Sequence, residues 1–416
     1  MPADSVKGLN PRRGVPDFTM ERASTRLRRV LSPVRAETPK AARVRDSELE
    51  PCGVRTSAEG RPPKGLAPTA GTDFYCGMGQ KQAAGWIADG QKYALLGLNV
   101  KVTDPKVGTL DLGPHFQIIG GPDFKVPDEW REWLGSIRIE EVEACDLFIA
   151  CKVSSATPDI LDGENNVLTH RLWAFYRGLL LSSTFATAHK PVILTGSCRD
   201  GEVGLRQVQD LDPPVPNDFH SYPDVSAKMF EAAAIMAERY ERMTATRQGS
   251  NRWRFNRVLH LYSQTRAEEQ LLERIHQYTR CIDGFVTTGP GQGLKQFKSR
   301  TELFIGPRHH DLMGEIYDVR SSVEHLHEDR YLDPLTRPVQ VDLTKKEAVI
   351  EHIARTTLAR IVMNDHLWAH FTSKTALGDF WAKPVDERRA MWGPPIDPME
   401  ALAEVDERYL PKVGER

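Results

Sequence analysis

The sequence predicts an α+β domain followed by an all-α helical bundle, with a basic tail in front of both. Three observations lead to this fold class. The chain has 416 residues, too many for one ordinary core. Short apolar runs bounded by Gly and Pro fill its first folded part, and apolar residues at helical spacing fill the second. The tail has few large apolar residues. We therefore predict three units: 1–69, 70–222 and 223–410.

The predicted tail is rich in Arg, Pro, Ser and Ala. Its first 65 residues hold 14 Lys/Arg and 8 Asp/Glu, whereas the rest of the chain holds 41 and 49. Such a segment cannot bury enough apolar surface to offset chain entropy, so we expect disorder. Three interpretations stay open: a phosphate-binding arm, a transit-like peptide, or upstream sequence included by an early start codon.

The segment 70–222 contains four short apolar runs that predict strands. They are KYALLGLNVKV (92–102), TLDLGPHFQIIGG (109–121), DLFIACKV (146–153) and PVILTG (191–196). The stretch HRLWAFYRGLLL (170–181) is compatible with a helix. These elements predict an α+β domain. We assign it no chemistry, because its acidic residues and cysteines match no metal-binding or catalytic spacing.

From about residue 224 the apolar residues recur with the period of a helix that faces a core. The stripes are Met229/Ala233/Met236/Tyr240, Leu271/Ile275/Tyr278/Ile282 and Leu312/Ile316/Val319/Val323/Leu326. Thr344 and Glu347 have the spacing of a capping box, which predicts that a further helix begins there. This half is therefore predicted to be a bundle with at least four long helices.

Composition and cysteine pattern exclude several classes of protein. Hydrophobic residues make up 40% of the chain and charged residues 27%, values typical of a globular protein. No apolar run approaches the roughly 20 residues that a membrane helix needs, so we predict a cytoplasmic protein with no membrane partner. The six cysteines form no CxxC pair and no paired Cys/His spacing. We therefore assign no metal and no cofactor.

One arginine and two histidines lie within eight residues of the segment EIYDVRSSVEHLHEDRY: Arg320, His325 and His327. Cleavage of RNA by its own 2′-hydroxyl needs a base, an acid and a cation that faces the charge on the phosphorus oxygens. Histidine can fill either proton-transfer role near neutral pH, and arginine offers a forked donor that fits phosphate. Arg320, His325 and His327 are therefore candidates for this chemistry.

Helix geometry by itself separates the side chains of Arg320 and His325. At about 100° per residue, the side chains of Arg320 and His325 point about 140° apart around an ideal helix. The side chains of Arg320 and His327 would lie on nearly the same face, two turns apart. A long Arg side chain, an early helix end, or a second copy of the helix across a twofold axis would bring the pair together. In the competing interpretation, Arg320 and Glu324 form an ordinary surface ion pair and His325 lies on a solvated face.

The segment IYDVRSSVEH resembles the signature helix of the Apea-like branch of the HEPN superfamily, where a tyrosine is followed by Arg-Ser, three residues and His. Three blocks before it, RWRFNRVLHLYSQT, LLERIHQYTRCIDGFV and QFKSRTELFIG, resemble the helices that precede the signature in that branch. The resemblance covers about residues 251–362. It implies a metal-independent ribonuclease with an Arg-x4-6-His motif, here Arg320 and His325, that leaves a cyclic phosphate end.

The resemblance also implies a homodimer in which two motifs face one another, RNA as the partner, and a role as a toxin or anti-phage effector. The supporting residues are interpreted to be Ser321, Glu324 and His327. His327 also gives an alternative Arg-x6-His motif with Arg320. Lys298 and Arg300 precede the signature helix. Two interpretations stay open for them: contacts to RNA phosphates, if their segment packs beside Arg320, or ordinary solvated bases. Many HEPN domains have lost catalysis, so a noncatalytic module that binds RNA, a nucleotide or a protein partner is the alternative.

Overall fold

The computed structural model describes residues 85–103, 109–215, 222–245, 253–287, 289, 291–326 and 335–406. The predicted N-terminal tail lies outside the described residues. One compact unit contains every residue in the described ranges. No helix within these ranges is both long enough and apolar enough to cross a membrane.

Six strands form one antiparallel sheet in the first half of the described chain. They are β1 (Gln91–Leu98), β2 (Thr109–Leu112), β3 (Phe116–Gly120), β4 (Leu147–Ser154), β5 (Val192–Arg199) and β6 (Glu202–Asp210). Their order is β2-β3-β4-β1-β5-β6. All four predicted runs are confirmed as strands, and the second run holds both strands of the β2–β3 hairpin, which turns at Gly113. β6 was not predicted.

Helices cover both faces of this sheet. They are α1 (Asp128–Glu143), α2 (Gly163–Ser182) and α3 (Ala227–Ala245). β1 is buried on both sides: Ala94 and Leu96 pack in the same core as α2, whereas Tyr93 packs against Trp130 of α1. α2 confirms the predicted helix, and α1 is an addition to the prediction. α3 lies against α2, where Gly178 permits a close approach.

The second half of the described chain is helical, as predicted. Its helices are α4 (Trp253–Thr265), α5 (Leu271–Val286), α6 (Gly293–Ile305), α7 (His310–Glu324), α8 (Arg337–Met363), α9 (Asp365–Phe371), α10 (Lys374–Ala382) and α11 (Val385–Trp392). α8 packs against α5 and also against α2 and α3. A single apolar core therefore runs from one face of the sheet into the helical half.

Buried ion pairs join α8 to its neighbours inside this core. Arg274 of α5 lies 2.8 Å from Glu347, and both side chains are almost completely buried. Glu351, one turn further along α8, lies 3.2 Å from Arg266 and accepts a 2.7 Å hydrogen bond from Tyr262. Arg266 also donates to the carbonyl of a residue that follows α2. Burying such charges is costly unless they are paired, so these contacts fix the position of α8.

The predicted capping box at Thr344 and Glu347 is wrong. α8 begins earlier, at Arg337, with a proline in its first turn. Thr344 and Glu347 lie inside the helix and are fully buried, and the Glu347 carboxylate binds Arg274 instead of a backbone N–H. The third predicted stripe also ends too late, because α7 stops at Glu324 and Leu326 adopts a positive φ of 51° outside it.

Candidate active site at the end of α7

The end of α7 presents His325 at the surface. Met313, Ile316 and Val319 anchor the buried side of this helix, and the backbone leaves helical geometry at His325, with φ −94° and ψ 7°. The His325 N–H still donates to the carbonyl of Ser321 at 3.1 Å. His325 is exposed at this helix end.

Arg320 is held by two carboxylates. Its Nη2 lies 3.1 Å from Oε2 of Glu324, one turn along α7, and 4.0 Å from Oδ2 of Asp283 on α5. The guanidinium also lies over the Tyr317 ring, 5.3 Å from its centroid. Only 16% of the Arg320 side chain is exposed. The ion pair expected in the competing interpretation is present, and it turns Arg320 toward α5.

Glu324 links this arginine to a histidine that was not singled out in the sequence. Nε2 of His276 on α5 lies 3.0 Å from Oε2 of Glu324. Because an ionised carboxylate only accepts hydrogen bonds, Nε2 is the donor. This hydrogen bond, together with the charge of Arg320, lowers the pKa of Glu324 against the opposing effect of burial. Arg320, Glu324 and His276 thus form one chain of contacts between α7 and α5.

The α5 partners of α7 have a sequence signal. His276, Arg280 and Asp283 follow one another at spacings of four and three, so they lie on one face of α5. The same spacing of four and three defines the apolar stripe of that helix, which begins five residues earlier at Leu271. The polar stripe was overlooked because its partner helix lies about 40 residues away in the sequence.

A cavity of about 840 Å³ adjoins the Arg320 cluster. It lies between α4, α5, α6 and α10. Asp283, the residue 4.0 Å from Arg320, lines it, so the two features share a side chain. Its basic lining residues are Arg254, Arg280, Arg300 and Lys374.

The two predicted RNA-binding residues have different surroundings. Arg300 lines the cavity, donates through Nη1 to the carbonyls of Val286 and Thr287, and lies 5.1 Å from the ring centroid of Trp381. Lys298 instead pairs with Asp311 of α7 at 3.1 Å. Residues two apart on a helix point in nearly opposite directions, which explains the separation. Of the supporting residues, His327 lies outside the described residues.

No family model, curated protein or solved structure matches the chain. Within the described ranges, no group of three or more His, Cys, Asp or Glu side chains could hold a metal ion. The arrangement offers an exposed imidazole, a restrained guanidinium and a neighbouring cationic cavity, which together suit chemistry on a phosphate-bearing substrate.

Proposed function

We propose that this protein is a metal-independent endoribonuclease of the HEPN type, which acts as a homodimer in the cytoplasm. The observation that carries the proposal is the position of His325. Its exposed imidazole follows directly on Glu324, the residue that holds Arg320, at the end of α7. A proton-transfer group and a cation therefore belong to one helix terminus, beside a cavity with four basic residues.

The reaction that suits these groups is an internal transesterification. His325 accepts the proton of a ribose 2′-hydroxyl, and the 2′-oxygen attacks the adjacent phosphorus. The bond between phosphorus and the 5′-oxygen breaks, which leaves a 2′,3′-cyclic phosphate on one fragment and a 5′-hydroxyl on the other. Arg320 faces the nonbridging oxygens, where negative charge grows in the transition state.

The departing 5′-oxygen needs a proton from a second acid. In the homodimer, the second copy of the chain supplies it through its own copy of the exposed histidine at the end of α7. His276 is a weaker choice, because it is 9% exposed and already bonded to Glu324. We assign His276 a positioning role: it holds the carboxylate that orients Arg320.

A noncatalytic module is the second candidate function. The observation in its favour is that Arg320 finds its partners within one chain, at 3.1 Å from Glu324 and 4.0 Å from Asp283. In that case Arg320, Glu324 and His276 only join α7 to α5, and the module binds RNA, a nucleotide or a protein partner.

Incubation of the purified full-length protein with RNA in EDTA separates the two candidates. The wild type is expected to cut the RNA, and Arg320→Ala and His325→Ala are expected to lose cutting. His366→Ala, which removes an exposed histidine from α9, is the matched control and is expected to cut normally. Persistence of cutting in both Ala variants, or its loss only when EDTA is added, contradicts the proposal. RNA binding without cutting favours the noncatalytic module.

Expression in bacteria tests the toxin or antiviral side of the proposal. The wild type is expected to slow growth, and both Arg320→Ala and His325→Ala are expected to restore it at equal protein levels. Growth inhibition that survives both substitutions would assign the toxicity to another part of the chain.

A further inference from the structure

The cavity beside the Arg320 cluster carries an excess of positive charge. Four basic side chains line it, and Asp283 is the acidic residue among the lining positions. Asp283 also lies 4.0 Å from Arg320, so its negative charge is already balanced in part by that arginine. A cavity of about 840 Å³ with this balance is suited to an anionic ligand.

Two of the basic side chains have unfavourable electrostatic surroundings. Burial, and after it the charge of Arg388, lowers the pKa of Arg300. Lys374 is the first residue of α10, where the helix dipole favours an anion and disfavours a cation. A bound anion would relieve both conflicts.

Arg254 places a further guanidinium at the same cavity. Its Nη1 donates to the carbonyl of Gly284 at 2.8 Å, which fixes the side chain against α5. A guanidinium held in this position suits a phosphate, because charge-assisted hydrogen bonds to phosphate match its forked geometry.

The aromatic residue in the lining offers no platform for a base. Trp381 is 8% exposed, and its indole N–H donates to the Phe285 carbonyl. The guanidinium groups of Arg300 and Arg388 each lie 5.1 Å from its ring centroid. Recognition in this cavity therefore depends on charge and on phosphate geometry more than on stacking.

We propose that this cavity binds the phosphodiester backbone of single-stranded RNA without base selectivity. The inference rests on the proposed ribonuclease function, since the bound strand is the one that Arg320 and His325 cut. Two residues link the cavity to that site: Asp283 lines the cavity and lies 4.0 Å from Arg320, and the charge of Arg280 helps to lower the pKa of Glu324. The RNA backbone lies along the exposed side chains of Arg280 and Lys374 and continues to the end of α7.

The test uses full-length His325→Ala protein, in which cutting does not interfere, and fluorescence anisotropy with 12-nucleotide oligo-U and oligo-A RNA. Adding Arg280→Gln and Lys374→Gln is expected to weaken binding by about tenfold or more and to reduce the slope of log affinity against log salt by about 1 to 2. Lys228→Gln, an exposed substitution on α3, is the control and should bind like the parent. Arg280→Lys, which keeps the charge, should bind nearly as tightly as the parent.

Oligo-U and oligo-A should bind with affinities within about threefold of one another, because phosphate contacts carry no base information. The inference is overturned if the double variant binds like its parent, or if one homopolymer binds more than about tenfold tighter. Circular dichroism and thermal unfolding confirm that the variants fold.

Cutting is measured separately in the wild-type background. Binding that depends on the cavity without any cutting overturns only the ribonuclease proposal, and cutting with unaltered binding in the double variant overturns only the cavity assignment.

Discussion

Arg320 and Glu324 form an ion pair of 3.1 Å across one turn of α7, and the same carboxylate oxygen accepts a hydrogen bond from His276 at 3.0 Å. An ion pair at this spacing contributes little stability, about 0.2–0.5 kcal/mol. Its consequence is positional, because it fixes the guanidinium on the side of α7 that faces α5. In the ribonuclease proposal, Glu324 and the RNA phosphate compete for Arg320.

Glu324→Gln is expected to tighten RNA binding by about twofold to fivefold, since removing an exposed competing charge is worth roughly 0.2–1 kcal/mol. The affinity is measured by anisotropy in the His325→Ala background. Glu315→Gln, which neutralises another exposed carboxylate on α7, controls for the general loss of negative charge. If RNA affinity rises equally in both variants, or falls in Glu324→Gln, then Glu324 and RNA do not compete for Arg320.

Glu347→Gln is expected to lower the free energy of unfolding by about 3–5 kcal/mol, because it leaves the buried Arg274 without its counter-charge. Urea denaturation measures the change. The matched control is Glu387→Gln at the surface pair with Lys383, where the expected loss is under about 1 kcal/mol. Similar losses in the two variants would show that the buried pair does not fix α8.

Glu351 predicts a specific pH dependence. Burial alone would raise its pKa, but Arg355, Arg266 and the Tyr262 hydroxyl together lower it from 4.5 to about 2. Because the folded-state pKa is below the usual value, the stabilisation by Glu351 is complete above about pH 4.5 and is lost as the pH falls toward 2. The difference in unfolding free energy between wild type and Glu351→Gln should narrow over this range. A difference that stays constant from pH 6 to about 2.5 would contradict the assignment.

Gly196→Ala is expected to destabilise the protein by about 1–3 kcal/mol or more. A Cβ at this position of β5 would overlap the carbonyl oxygen of Gly204 and lie 2.6 Å from Oη of Tyr93. At Gly204 of β6, the nearest atom would be 3.9 Å away, so Gly204→Ala should change stability by less than about 1 kcal/mol. The midpoints of thermal unfolding of the two variants are compared. Equal midpoints would contradict the prediction that only Gly196→Ala is strongly destabilising.

Five of the six described strands could be predicted because local apolar patterns determine them. The same holds for five of the described helices, namely α2, α3, α5, α7 and α8. α1 escaped prediction because its sequence is highly charged and Gly135, with φ 72°, interrupts its helical geometry. β6 was not predicted because four of its nine residues are polar and exposed, and the strand lies at one edge of the sheet. Both elements take their form from the sheet they cover or extend, which no local pattern records.

The candidate site could be predicted only in part. The α7 residues Arg320 and His325 stand in one short segment, so their chemistry is visible in the sequence. His276 lies 48 residues from Glu324, and only the packing of α5 against α7 brings them together. The spacing of Thr344 and Glu347 misled for the same reason: their local pattern suggests a helix start, but Arg274, 73 residues away, is the partner of Glu347.

The rate of RNA cutting by wild type and His325→Ala in EDTA tests the central claim most directly. An all-ribose oligonucleotide is compared with the same sequence carrying 2′-O-methyl groups throughout. The proposal predicts that the wild type cuts the ribose form and leaves a cyclic phosphate, that His325→Ala is slower by about 10²–10⁴-fold, and that the 2′-O-methyl form resists cutting. Equal rates for wild type and His325→Ala, or cutting of the 2′-O-methyl form, would contradict it.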